Sequence, residues 1–172
     1  MIADGIDLDR HRDLQGRIGA PWVRRVLLAL LAVPVVLGLA GALGQETSTL
    51  SAAGPAARMN ISAPSVLRGG LMWRVRVHVR AQATIDHPRL ILGRGYANGM
   101  QVNTIEPSPT GEANRGPNLV LSYDGLAPGD ELVVYLQFQV DPTTFGRQDA
   151  AVELDDETTA IARIAHTITV LP

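Results

Sequence analysis

The chain of 172 residues contains no cysteine, which excludes disulfides, thiolate nucleophiles, zinc–thiolate sites and thiol-linked lipid anchors together. Any exported domain must be held by packing alone. Lysine is absent too: all 15 basic residues are arginine. With abundant Ala, Gly, Val and Pro, that bias points to GC-rich bacterial coding rather than to a selected arginine chemistry. The formal net charge is −2 and no long run of one sign occurs, so the chain shows no electrostatic footprint for nucleic acid. No stretch after Gly44 carries a helical apolar period, and the familiar catalytic spacings are missing. His11, His78, His87 and His166 stand far apart, with no His-x-His or His-Glu-x-x-His pattern to hold a metal. Ser51, Ser62, Ser65, Ser108 and Ser122 sit in no Gly-x-Ser-x-Gly context. The acidic run Glu153–Glu157 lacks the glycine and alternating ligands of a calcium loop and reads as a solvated hairpin tip. The expectation is therefore a protein with no catalytic residues, no metal ligands and no cofactor.

What is present begins with a long apolar run. Val26 to Leu43, VLLALLAVPVVLGLAGAL, has no charge, amide or hydroxyl and follows Arg24 and Arg25 directly. As a helix it is about 27 Å long, close to the roughly 30 Å bilayer core once its flanks are added. Its Leu and Val residues together favour insertion by roughly 3–7 kcal/mol. The expected division is a cytoplasmic tail over 1–22, a transmembrane helix over 23–44, a flexible linker over 45–56 and an exported domain over 57–172. Orientation follows from the flanks: Arg17, Arg24 and Arg25 precede the segment, and Glu46 is the first charge after it. The positive-inside bias puts the N-terminus in the cytoplasm. Ala40-Gly41-Ala42 also fits a signal-peptide site with cleavage after Ala42. The length of the run and the four aspartates before it favour an uncleaved anchor; both readings export the domain.

Beyond the linker the period becomes two. Met59 and Ile61 alternate with Asn60 and Ser62. In Leu71–Gln82, Leu71, Trp73, Val75, Val77, Val79 and Ala81 fall on one face and Met72, Arg74, Arg76, His78, Arg80 and Gln82 on the other. Short strands are expected near 89–92, 100–105 and 118–123. A second long strand runs from Glu131 to Val140, with Leu132, Val134, Leu136, Phe138 and Val140 inward. Val152 and Leu154 mark another strand, and Ile161 to Leu171 reads as one closing strand with Ile164, Ile168 and Val170 buried. His166 falls on its inward parity, as a hydrogen-bonded core or edge histidine would. Seven or eight strands with frequent Gly, Pro and Asn turns predict an all-β fold, an immunoglobulin-like antiparallel β-sandwich after one N-terminal transmembrane helix.

The succession Pro64-Ser65-Val66-Leu67-Arg68-Gly69-Gly70, a long strand, Leu126-Ala127-Pro128-Gly129-Asp130 and a second long strand resembles bacterial immunoglobulin-like modules of the DUF11 and CARDB type, over roughly Ala57 to Pro172. The resemblance implies that the two long strands are neighbours in one sheet. It also implies spacer, adhesive or docking roles, with no catalytic residues to carry over. On that pairing Tyr135, Gln137 and Gln139 would share the outward face of Arg74, Arg76, His78 and Arg80, with Glu131 and Asp141 near its ends. Alternate arginines stand about 6.6 Å apart and repel by roughly 0.6 kcal/mol in water. The face is a candidate binding surface for carboxylates or phosphates. The expected function is a single-pass, membrane-anchored envelope protein whose exported sandwich docks on an envelope or membrane protein; the alternative is binding of an anionic envelope polymer.

Overall fold

The structure, a computed structural model, describes residues 20–39 and 47–172, in two separate units. The tail over 1–19, the remainder of the apolar run with its small-residue cleavage pattern, and Gln45 and Glu46 lie outside the described residues. Helix α1 (Ala20–Leu39) starts three residues before the expected membrane segment and runs without a break through Pro34. Its side chains from Trp22 to Leu39 are exposed throughout. It is long and apolar enough to cross a membrane, as an anchor or as a signal sequence.

The second unit is an immunoglobulin-like β-sandwich. Its largest sheet orders β1 (Thr47–Ala53), β2 (Ala57–Pro64), β4 (Met72–Ala81), β9 (Glu131–Val140) and β6 (Met100–Glu106). A second sheet orders β12 (Thr159–Ile164), β11 (Val152–Asp156), β5 (Pro88–Leu92), β8 (Asn118–Ser122) and β7 (Gly111–Arg115). A small third sheet sets β13 (Thr167–Leu171) between β10 (Gly146–Asp149) and β3 (Val66–Arg68). The pairings are antiparallel apart from β13 with β3.

Strict alternation builds the core. Trp73, Val75, Val77, Val79 and Ala81 of β4 are buried against Leu132, Val134, Leu136, Phe138 and Val140 of β9 and against the inner rows of the second sheet. Three rings meet at its centre: Trp73 lies 5.2 Å from Phe138 and 5.9 Å from Tyr96, and Tyr96 lies 5.2 Å from Phe138. Tyr96 comes from a 3₁₀ turn, Arg94–Tyr96, whose following loop returns the chain to the first sheet. Its hydroxyl has no partner among the described residues, and burial followed by the charge of Asp149 raises its pKa.

Four expectations change. The linker read over 45–56 is, from Thr47 to Ala53, an edge strand zipped to β2 over seven residue pairs. Small and hydroxyl side chains fill both faces of Thr47–Ala53 with too little contrast to register as a period, but Leu50 and Ala52 pack on the core. The single closing strand is two: β12 belongs to the second sheet and β13 to the third. The chain crosses at Ala165-His166, where His166 is buried with Nε2 3.2 Å from the Pro64 carbonyl oxygen. Parity continues through the crossing, so Ile164, Ile168 and Val170 are buried as expected. Leu71, expected inward, is exposed because β4 begins only at Met72. Finally, thirteen strands stand among the described residues where seven or eight are expected, because β3, β7 and β10 are three to five residues long and too short to show a period.

Candidate functional site

The outer face of the largest sheet is set by register. Arg74 lies opposite Gln137, Arg76 opposite Tyr135, Met72 opposite Gln139, His78 opposite Val133 and Arg80 opposite Glu131. The pairing implied by the resemblance thus brings Arg74, Arg76, His78, Arg80, Tyr135, Gln137 and Gln139 onto one surface. On the β2 side, Arg58 lies opposite Arg80, Asn60 opposite His78 and Ser62 opposite Arg76. On the β6 side, Thr104 lies opposite Gln137 and Glu106 opposite Tyr135.

Three of these residues, Arg58, Thr104 and Glu106, are absent from the sequence expectation. Arg58 follows from the inward positions of Met59 and Ile61 once β2 is known to pair with β4. The other two are hidden by a bulge: the β6 register slips between Val102 and Thr104, so strict alternation from Met100 would turn them inward.

Charge on the face is unevenly balanced. Glu131 alone serves two partners, His78 at 3.2 Å and Arg80 at 3.5 Å. Among the described residues Arg74 and Arg76 make no ion pair. Beside them Arg74, Thr104, Glu106, Tyr135, Leu136 and Gln137 line a shallow hollow of about 340 Å³. Four arginines therefore share the face with two glutamates, and the surplus charge is centred on Arg74 and Arg76. Asp141, expected near its end, lies in the loop after β9, where the Thr143 N–H and hydroxyl both donate to its Oδ1 and hold its carboxyl below the usual range.

The other polar candidates resolve into structural roles. His87 is an exposed turn residue whose N–H donates to Asp156 Oδ1 at 2.8 Å. The acidic run forms β11 and its turn, but it is not wholly solvated. Asp155 is buried and accepts from Arg115 at 3.2 Å, while its second oxygen has no partner. That is a correction to the hairpin-tip reading: β11 is an inner strand of its sheet, between β12 and β5, so part of the run is covered. Among the described residues no group of three or more His, Asp or Glu side chains is placed to hold a metal ion. Tyr123, buried just after β8, has its pKa pushed up to about 12, by burial first and then by Glu112.

No protein-family model and no curated protein matches the chain. Among solved structures it is similar to the CARDB domain of a Pyrococcus furiosus protein, with 16% identity, 69% of this chain and 97% of that one covered, and a TM-score of 0.44. A non-cellulosomal cohesin from Archaeoglobus fulgidus is similar at 18% identity, 73% and 92% coverage and a TM-score of 0.40. CaCohA2 from Clostridium acetobutylicum is similar at 14% identity, 61% and 86% coverage and a TM-score of 0.42. The likeness is one of fold, and the CARDB-type resemblance seen in the residues has its counterpart there.

Proposed function

We propose that the chain is a single-pass, membrane-anchored envelope protein whose sandwich, on the outer side of the membrane, docks through β4 and β9 onto an acidic segment of another envelope or membrane protein. The N-terminus is on the cytoplasmic side in this reading, which the positive-inside bias of the arginines before the apolar run supports. The observation that carries the reading is the unbalanced pair Arg74 and Arg76, flanked by Tyr135 and Gln137. Guanidinium groups present planar forks that match carboxylates two bonds at a time. An aromatic ring beside them adds contact area at little conformational cost. Two free guanidinium groups on successive outward positions repel each other, and a partner carboxylate between them relieves that repulsion.

The test is affinity purification of the full chain from detergent-solubilised membranes, comparing the unmodified chain with Arg74→Glu combined with Arg76→Glu. A stoichiometric partner should co-purify with the first and be lost from the second, while both melt at the same temperature. A folded double variant that still holds its partner removes this face from the interaction.

A further inference from the structure

Five large apolar side chains are exposed in the sandwich: Val66 (37%), Leu71 (41%), Met72 (55%), Tyr135 (41%) and Phe145 (74%). Tyr135 lies within the arginine face; Met72, at the edge of that face where β4 begins, gathers with the other three at one end of the domain. Arg68 and Leu171 are register partners, as are Val66 and Thr169. Gly146 pairs with Val170, which carries Phe145 to the row of Leu171 and Arg68. The Leu71 N–H donates to the Arg68 carbonyl, and the Val140 N–H, at the end of β9, donates to the Leu71 carbonyl. The turn after β3 and the loop after β9 are therefore neighbours, with Pro142 packed against Gly69 and Gly70.

The same end receives the chain from the helix. Thr47 pairs with Pro64, whereas Ala53 pairs with Arg58. Ser62 in turn lies opposite Arg76 and Arg58 opposite Arg80, so β1 starts beside the Met72 end of β4. Thr47 follows Leu39, the last described residue of α1, by eight positions (47 − 39). Eight residues span at most about 29 Å. Arg68 and Arg147 are exposed on the outer face of the small sheet beside Phe145, and Arg74 stands two positions along β4 from Met72. Asp141 is the acid of the intervening loop, and its Oδ1 is engaged by Thr143.

We propose that this end of the sandwich, led by Phe145, Leu71 and Met72, seats in the headgroup region of the bilayer that α1 spans, with Arg68 and Arg147 against anionic lipid phosphates. The inference rests on the anchor reading given under Proposed function. Clustered apolar side chains ringed by arginine have the composition of interfacial membrane contacts. Thr47, where the chain enters the sandwich, lies at this end rather than at the far end with Ala127.

The absence of cysteine permits a direct test with single nitroxide labels. Full chains carrying Phe145→Cys, Ala127→Cys or Val33→Cys are labelled and reconstituted in vesicles of equal phosphatidylcholine and phosphatidylglycerol. Relaxation by oxygen, which partitions into lipid, is then compared with relaxation by an aqueous nickel chelate. The nitroxide ring is itself apolar and stands in for the phenyl ring. The oxygen-to-nickel ratio at position 145 should exceed that at 127 several-fold and should fall to the value at 127 when Leu71→Glu and Met72→Glu are added. A lipid-like signal at 33 with equal, aqueous signals at 145 and 127 overturns the docking and leaves the anchor standing. An aqueous signal at 33 overturns both. Protection at 145 that persists in detergent and grows with protein concentration assigns the end to a second copy of the chain and overturns the lipid contact.

Discussion

The outer faces of the two five-stranded sheets carry arginines in comparable number and use them in opposite ways. On the second sheet, Arg115 reaches from β7 across β8 and β5 to Asp155 on β11, Arg163 lies 3.7 Å from Glu153, and Arg89 Nη1 donates to the Glu157 carbonyl at 3.0 Å. Beneath that lattice Ile91 and Val120, although outward by register, are buried and share a hollow with Arg89 and Arg115. On the largest sheet Arg74 and Arg76 have no ion-pair partner among the described residues, and Glu131 serves only the far margin. One face has spent its charge on its own structure and the other retains it. The difference lies in which acids the register brings within reach, since β11 supplies Glu153 and Asp155 to one face and β9 supplies Glu131 to the other.

The comparison can be broken most completely from beneath. Trp73 holds β4 to the rings of Phe138 and Tyr96, so Trp73→Ala should cost about 3–5 kcal/mol. Against a total of about 5–15 kcal/mol for a domain, that largely unfolds the sandwich and erases both faces; urea unfolding followed by circular dichroism measures it, and an unchanged midpoint would refute the central place given to this ring.

Next in size is the engaged face. Asp155 has a side chain only 2% exposed whereas Arg115 is 57% exposed, so Arg115→Ala strands a covered carboxylate. The loss should be about 3 kcal/mol, the low end for breaking a buried pair because one partner is solvated. Thermal unfolding of the variant at neutral pH tests it. By contrast the Arg74→Glu and Arg76→Glu pair should leave stability within about 0.5 kcal/mol, since nothing folded depends on those groups.

The smallest expected effect sharpens the comparison. Glu131→Gln frees Arg80 and His78 from their shared carboxylate and should cost no more than about 1 kcal/mol, as exposed pairs do. It leaves the largest sheet with one more uncompensated positive charge, so association with an acidic partner should quicken at low salt and converge on the unmodified rate at high salt. Stopped-flow mixing across a salt series measures it; a rate that falls at low salt would mean that Glu131 itself contacts the partner.

Much of this contrast was legible in the residues, and the parts that were not have definite causes. The twelve residues from Leu71 to Gln82 alternate so strictly that the outward identity of Arg74, Arg76, His78 and Arg80 required no structure, and the inward set from Leu132 to Val140 was equally plain. Glu106 was not legible, because a bulge at Asn103 reverses parity without leaving a trace in composition. The lattice of Arg115 with Asp155 was invisible for another reason: its partners are forty residues apart, and no periodicity reports on which strands share a sheet. The crossing at His166 was hidden because alternation persists through a change of sheet.

The edge position of β1 has a mechanical side. Its first residue, Thr47, is the point at which the described sandwich would take up tension from the chain that precedes it, and the strand runs from that point toward the opposite end of the sheet. A pull on Thr47 directed away from the domain acts along the strand axis, so the β1–β2 hydrogen bonds are loaded together in shear rather than opened one after another. Seven paired residues then share the force. The strand that looks in sequence like slack ahead of the domain is built as the grip by which the domain resists a pull on its leading end.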